Sequence, residues 1–200
     1  MDAKQKNLDN DVPLQKKLDD LYDLIDGIET AMFTTRRPDG HLVSRPLQTQ
    51  QRAAGADLWF VTGLDAQVIT DLYGDPHVNV AYFRDRTKEW VSVSGIASVT
   101  QNREIIRELY KPDWRAWFAD EGGKRDGGPE DPRIALLLVE AHSVTYLKKD
   151  RPAPVVLFAI ARAMVTGNPP KVGDQRELGE QELRVATHRD QAGDAGEARP

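Results

Sequence analysis

Two hundred residues with a net charge of −5 and no cysteine suit one domain with a good core and some excess chain. The lack of cysteine excludes disulfides, zinc ribbons and thiol catalysis, and interspersed charges without a basic patch argue against nucleic-acid binding. The polar opening MDAKQKNLDNDVPL carries no apolar leader. The longest apolar run, residues 155–165, falls short of the roughly 20 residues that span a bilayer, so the expected location is the cytoplasm, with no membrane partner.

Residues 1–13 read as a mobile lead-in. Leu14, Leu18, Leu21, Tyr22, Ile25 and Ile28 then recur at three- and four-residue spacing, which predicts an amphipathic helix ending near Gly27. Ala31 to Thr35 is a short β-prone run, Pro38-Asp39-Gly40 is a turn, and His41 to Gln50 resumes in extended style, so a hairpin is predicted. With a period of two, His41, Val43, Arg45, Leu47 and Thr49 share one face, placing a guanidinium in line with two aliphatics aimed at a core. Pro46 removes a ladder donor and marks an edge, a bulge or a place where a ligand approaches the backbone. Taken alone, Arg45 reads most simply as a strand arginine paired with an acid or reaching to water.

Residues 58–63, LWFVTG, are nearly continuous in apolar character, as suits a strand covered on both faces. Asp65 is a suitable N-cap for a short helix over 66–73, closed by Gly74. Its first turn offers free N–H groups to an anion, as every helix does. Residues 77–83 and 89–99 are two more strands, and Gly95 signals a bulge or a close backbone approach. Asn102 caps a helix over 103–110, and Asp113 a further turn carrying Trp114, Trp117 and Phe118 at helical spacing. Such a stripe is more often core or interface than cofactor contact. Residues 119–133, charged and glycine-rich, read as a mobile loop, and 134–147 as the last strand of the sheet. After Pro152 and Pro154, a helix to residue 166 is apolar nearly all round and requires cover from its own domain and from a second subunit. From Lys171 onward the composition predicts disorder.

No dinucleotide fingerprint, phosphate-binding loop or nucleophile elbow is present. His41, His77, His142 and His188 fall on different elements without ligand spacing, so no metal site is expected. Asp113 and Glu140 are unpaired in pattern, and a two-carboxylate mechanism has no support. Six short strands with small helices between them predict a mainly β fold with peripheral helices, a compact antiparallel barrel. Its polar features converge on Arg45 and the helix that begins at Ala66.

The ordered pieces AMFTTR, SRPL with Gln50, LWFVTG, DPHVNVAY, VSVSG, Lys111-Pro112 to Trp117-Phe118, Asp131-Pro132 with ALLLVE, and LFAIARAMVTG resemble the FMN-binding split-barrel family related to pyridoxamine 5'-phosphate oxidase. The likeness is nearest to its bacterial general stress protein branch and covers residues 14–168. It implies a six-stranded antiparallel split β-barrel forming a homodimer, with a helix at about 154–166 in the interface; the polar tail over 169–200 is expected to be disordered from its composition. It also implies FMN bound near that interface. Ser44, Arg45, Pro46 and Leu47 match the family strand that meets the flavin and its phosphate. Phe60, Val61 and Thr62 match the neighbouring strand, whose backbone meets the ring, and Trp117 matches an aromatic segment approaching it. The family's Ser-x-Lys at the next helix is replaced by Ala66, Gln67 and Val68, which removes a hydroxyl and an ammonium from the phosphate site. The motif that grips pyridoxal phosphate is also missing, so vitamin oxidation is not expected. What the resemblance implies is an FMN-dependent oxidoreductase of unassigned catalytic residues. The alternatives are a non-catalytic flavin carrier or sensor, or a barrel holding FAD, a deazaflavin or a haem-related ligand.

Overall fold

The computed structural model describes residues 8, 9, 11–52, 56–149, 162–167 and 173–197. Helix α1 (Leu14–Ile28) buries Leu18, Leu21 and Ile25 of the stripe that its spacing predicts, and with them Leu24 and two charged residues, Lys17 and Asp20. It ends at Glu29, whose positive φ of 63° turns the chain while its N–H caps the Ile25 carbonyl. Strands β1 (Thr30–Arg36) and β2 (Leu42–Arg52) form the predicted hairpin, with Arg36 opposite Leu42 and Phe33 opposite Arg45. Gly40 turns it at a φ of 87°, a conformation that costs glycine little. Strand β3 (Leu58–Gly63), helix α2 (Gln67–Gly74), and strands β4 (His77–Arg84) and β5 (Glu89–Thr100) follow. Then come helix α3 (Arg103–Leu109), a 3-10 turn (Pro112–Trp117) and the long strand β6 (Ile134–Lys148).

The strand order is β3-β2-β1-β4-β5-β6, and β3 pairs again with β6 from Leu58↔Val139 to Gly63↔Ile134. The first six strands therefore close into the expected antiparallel barrel, which removes the exposed edges that an open sheet would leave. Phe33 and Phe60 meet edge-to-face inside it, 5.3 Å between centroids. A second cluster, with Ile106, Leu109, Trp114 and Leu136, fills the space under α3 and the 3-10 turn. Gly95 behaves as predicted. The β5–β6 register slips there, with Ser94 opposite Ser143 but Gly95 opposite Ala141, and a Cβ on Gly95 would collide with the Glu140 carbonyl.

The structure corrects five expectations. Asp113 does not cap the turn that carries Trp114, whose N-cap is Lys111 with no side-chain bond. Ala66, not Asp65, is the N-cap of α2, and no side chain caps it. Residues 119–133 are held by a charged network described below. Strand β6 is not the last strand, because the disordered tail expected over 169–200 contains strand β7 (Asp174–Leu178) and helix α4 (Glu180–Glu197). Strand β7 pairs with the far half of β6, Val144↔Leu178 to Lys148↔Asp174, and Leu178, Leu183 and Ala186 are buried. Its Arg176, also buried, pairs with Asp20 of α1, and Lys17 of α1 reaches Glu182 at 2.8 Å. Composition hid this because the attachment uses backbone ladder, few apolar groups and charges whose partners are distant in sequence. Finally, within the expected mobile lead-in, Leu8 bridges Gln175 and the Asp9 N–H donates to the Gln175 carbonyl at 2.9 Å. Of the helix expected over 154–166, residues 154–161 lie outside the described residues, and 162–166 are helical. Among the described residues no helix is long and apolar enough to cross a membrane.

Candidate functional site

Strands β2 and β3 pair over only a short length, through Thr49↔Phe60, Gln51↔Trp59 and Arg52↔Leu58, with a register slip between Thr49 and Gln51. Beyond Thr49 they part, because β3 continues along β6 while β2 continues along β1. Pro46 lies in the parted stretch, where the missing N–H removes a ladder donor. Between Pro46, Leu47 and Gln48 on one side and Val61, Thr62 and Gly63 on the other opens a cleft of about 410 Å³. That is within the ~300–1,000 Å³ common for small-molecule sites.

The opposite wall comes from the 3-10 turn. Gln50 fixes it: its carbonyl accepts from Lys111 Nζ at 3.1 Å, and its Oε1 accepts from Trp114 Nε1 at 2.8 Å. Trp114 is thereby buried against Tyr110, while Trp117 is 83% exposed and stands at the cleft. The rim is the segment 119–133. Buried Asp131 accepts from Gly127 N at 2.8 Å and from Arg133 NH2 at 2.6 Å, and the Arg133 guanidinium holds its carboxyl well below the usual carboxylate range. Arg133 further donates to the Ala119 carbonyl at 2.8 Å and to Glu121 Oε1 at 2.9 Å.

Of the residues predicted for the site, Pro46, Leu47, Val61, Thr62, Ala66 and Trp117 line this cleft. Phe60 and Val68 are in the core, and the Ser44 hydroxyl is 2.8 Å from that of Thr34 on the exposed side of the hairpin. Gln67 Nε2 donates to Asp71 Oδ1 at 3.2 Å. Arg45 does not line the cleft. Its NH1 donates to Thr35 Oγ1 at 2.8 Å and its NH2 to Asp71 Oδ2 at 2.9 Å, and Thr35 Oγ1 donates to the same oxygen at 2.7 Å. Burial acts to raise the Asp71 pKa, but the bonds from Thr35, Arg45 and Gln67 outweigh it and hold the carboxyl below its ordinary range. The simpler sequence reading, a strand arginine paired with an acid, describes these contacts.

Gln48, Gln50, Asp65, Arg125 and Arg133 also line the cleft and were not among the predicted site residues. The two glutamines share the Pro46 parity along β2, a signal available once that edge is known to part. Arg125 and Arg133 sit in a stretch whose composition is that of a solvated loop, and they carry no sequence signal of a site.

The family model described as pyridoxamine 5'-phosphate oxidase like matches residues 16–171. The chain belongs to the pyridoxamine 5'-phosphate oxidase-like family. Strand β7 and helix α4 lie beyond the segment that the family model matches. Among proteins similar to this family member, Protein bli-3 of Neurospora crassa is 36% identical over 184 residues, covering 90% of this chain and 88% of that protein. General stress protein 26 of Bacillus anthracis superposes with a TM-score of 0.56 at 21% identity, over 65% of this chain and 92% of that one. A pyridoxamine 5'-phosphate oxidase-related, FMN-binding protein of Nostoc punctiforme gives 0.53 at 14% identity, over 68% and 84%. At these identities the two structures share the fold.

Proposed function

We propose that the cleft between β2 and β3 binds FMN, and that the chain is a cytoplasmic, homodimeric flavoprotein of the general stress type using FMN for oxidoreduction. The observation that carries this reading is the parting of β2 from β3 opposite an aromatic wall. Two strand segments front the space, with Leu47 and Val61 as apolar lining and Thr62 and Gln48 as polar lining. The fit to the ring is good. For the phosphate it is poorer, because Arg45 is engaged by Asp71 and the N-cap of α2 is an alanine with no side-chain bond. When bound, FMN supplies the electron-accepting and electron-donating ring, and the protein supplies binding and orientation.

In this reading Pro46, Leu47, Val61, Thr62, Ala66 and Trp117 touch the cofactor. Arg45 acts through Asp71 to hold α2 against the hairpin, and so positions Ala66. The exposed apolar side chains Met32 and Leu42 on the outer side of the hairpin favour a second copy as their cover. A carrier or sensor is the second reading. Among the described lining residues there is no histidine, tyrosine or lysine, the groups best able to hand over a proton near neutral pH.

Titration of the purified chain with FMN, FAD and a deazaflavin, followed by tryptophan fluorescence and melting temperature, tests the binding; anaerobic addition of NADPH then tests turnover. Quenching and stabilisation by FMN are expected, with bleaching of the yellow colour. A chain indifferent to all three ligands overturns the flavin reading, and an FMN complex that neither NADPH nor NADH bleaches leaves the carrier.

A further inference from the structure

The rim of the cleft holds an arrangement that the flavin reading does not use. Gly122 and Gly123, at φ of 88° and 62°, fold the chain back so that the Glu121 N–H donates to the Arg125 carbonyl at 2.8 Å. The same turn brings Arg125 Nε to Glu121 Oε2 at 2.6 Å, while Glu121 Oε1 takes Arg133 NH1 at 2.9 Å. One carboxylate thus lies between two guanidiniums, and all three side chains line the cleft. The two arginines differ in freedom. Arg133 is fixed by Asp131 and the Ala119 carbonyl, and its side chain is only 15% exposed. Arg125 is 49% exposed, and among the described residues its side chain bonds to Glu121 alone.

We infer that Glu121 stands in for the anionic group of a ligand, and that Arg125 and Arg133 form a binding site for a phosphate or carboxylate at the outer end of the cleft. Guanidinium forks accept carboxylate and phosphate oxygens in the same paired geometry. Displacing Glu121 breaks an exposed pair with Arg125, which contributes little, and one bond to Arg133, whose contacts to Asp131 and the Ala119 carbonyl remain. No other lysine or arginine lines the cleft among the described residues, and besides Glu121 the charged groups there are Asp65 and Asp113. Arg133 provides the fixed half of the site and Arg125 the movable half.

The anion can belong to the cofactor or to a second ligand, and the first arm of the test rests on the flavin reading. Arg125→Ala and Glu121→Gln proteins, checked for unchanged melting temperature, are titrated with FMN and with riboflavin, which lacks the phosphate. If the phosphate of FMN is the anion, Arg125→Ala weakens FMN about tenfold and leaves riboflavin unchanged, while Glu121→Gln tightens FMN. The second arm titrates inorganic phosphate, read by tryptophan fluorescence, into the FMN-loaded protein and into the chain alone. Phosphate binding to the loaded protein that is lost in Arg125→Ala assigns the site to a second ligand. Should wild type bind neither flavin, the flavin reading falls, and phosphate binding by the chain alone still decides the anion site. Flavin and phosphate affinities that both variants leave at the wild-type value overturn the inference.

Discussion

Arg45 on β2 and Asp71 on α2 form an ion pair, NH2 to Oδ2 at 2.9 Å, in which the carboxylate is wholly buried. Removing one member of a buried pair leaves the other charge without compensation, which costs about 3–5 kcal/mol. Arg45→Ala and Asp71→Asn should each lower the unfolding free energy in urea at pH 7 by that order. A double variant should lose less than the sum, since the two share one interaction. Simple additivity would mean that the pair is not coupled.

The carboxylate of this pair carries a pH signature, and so does Asp131. Asp71 and Asp131 are both held below the ordinary carboxylate range in the folded chain. Between the unfolded pKa, near ~4, and the lower folded values, the unfolded chain binds more protons. Their contribution is therefore complete above about pH 4 and is lost as pH falls through the folded pKa values. Urea midpoints measured from pH 7 downward should hold level for these groups and then decline below about pH 4, less steeply in Asp71→Asn than in wild type. An equally steep acid decline in the variant would show that Asp71 does not titrate as described.

Gly95→Ala introduces a methyl group against the Glu140 carbonyl, which is backbone and cannot swing aside. The β5–β6 bulge must shift, at a cost of about 1–3 kcal/mol for an overpacked site. Thermal melts of this variant should show the loss, whereas Gly74→Ala, where a Cβ meets open space, should change stability far less.

Trp114→Phe keeps the aromatic packing and removes the N–H that Gln50 Oε1 accepts. The expected loss is about 1–3 kcal/mol, the penalty for stranding a partly buried acceptor. Because Gln50 ties β2 to the 3-10 turn, flavin or phosphate binding should weaken alongside. Unchanged stability and unchanged binding together would remove Gln50 from the wall of the cleft.

The strands and the α1 stripe were legible because their periodicities reflect burial directly: Leu18, Leu21 and Ile25 face the barrel as their spacing requires. The role of Arg45 was legible only as a pair of alternatives, since its partner lies 26 positions away on a helix face that reads as polar. Buried Lys17 and Asp20 break the pattern of an amphipathic helix without a visible reason. The reason is Glu182 and Arg176, supplied by a tail whose composition resembles disorder. Half of the cleft was foreseen through β2 and β3. The half contributed by Arg125 and Arg133 was not, because an arginine in a glycine-rich loop looks the same whether it faces water or a ligand.

Asp20 and Arg176 meet across 156 residues of chain, so this contact imposes an order on assembly. The barrel strands are all made before Arg176 emerges from the ribosome, and until then Asp20 has Lys16 and Lys148 as its charged partners. Closing so long a loop contributes late and slowly, which assigns the C-terminal segment to holding the finished domain shut. Arg176→Leu should therefore leave the refolding rate near that of wild type and speed unfolding, the mark of an interaction absent from the transition state. Slower refolding would place this contact in the nucleus instead.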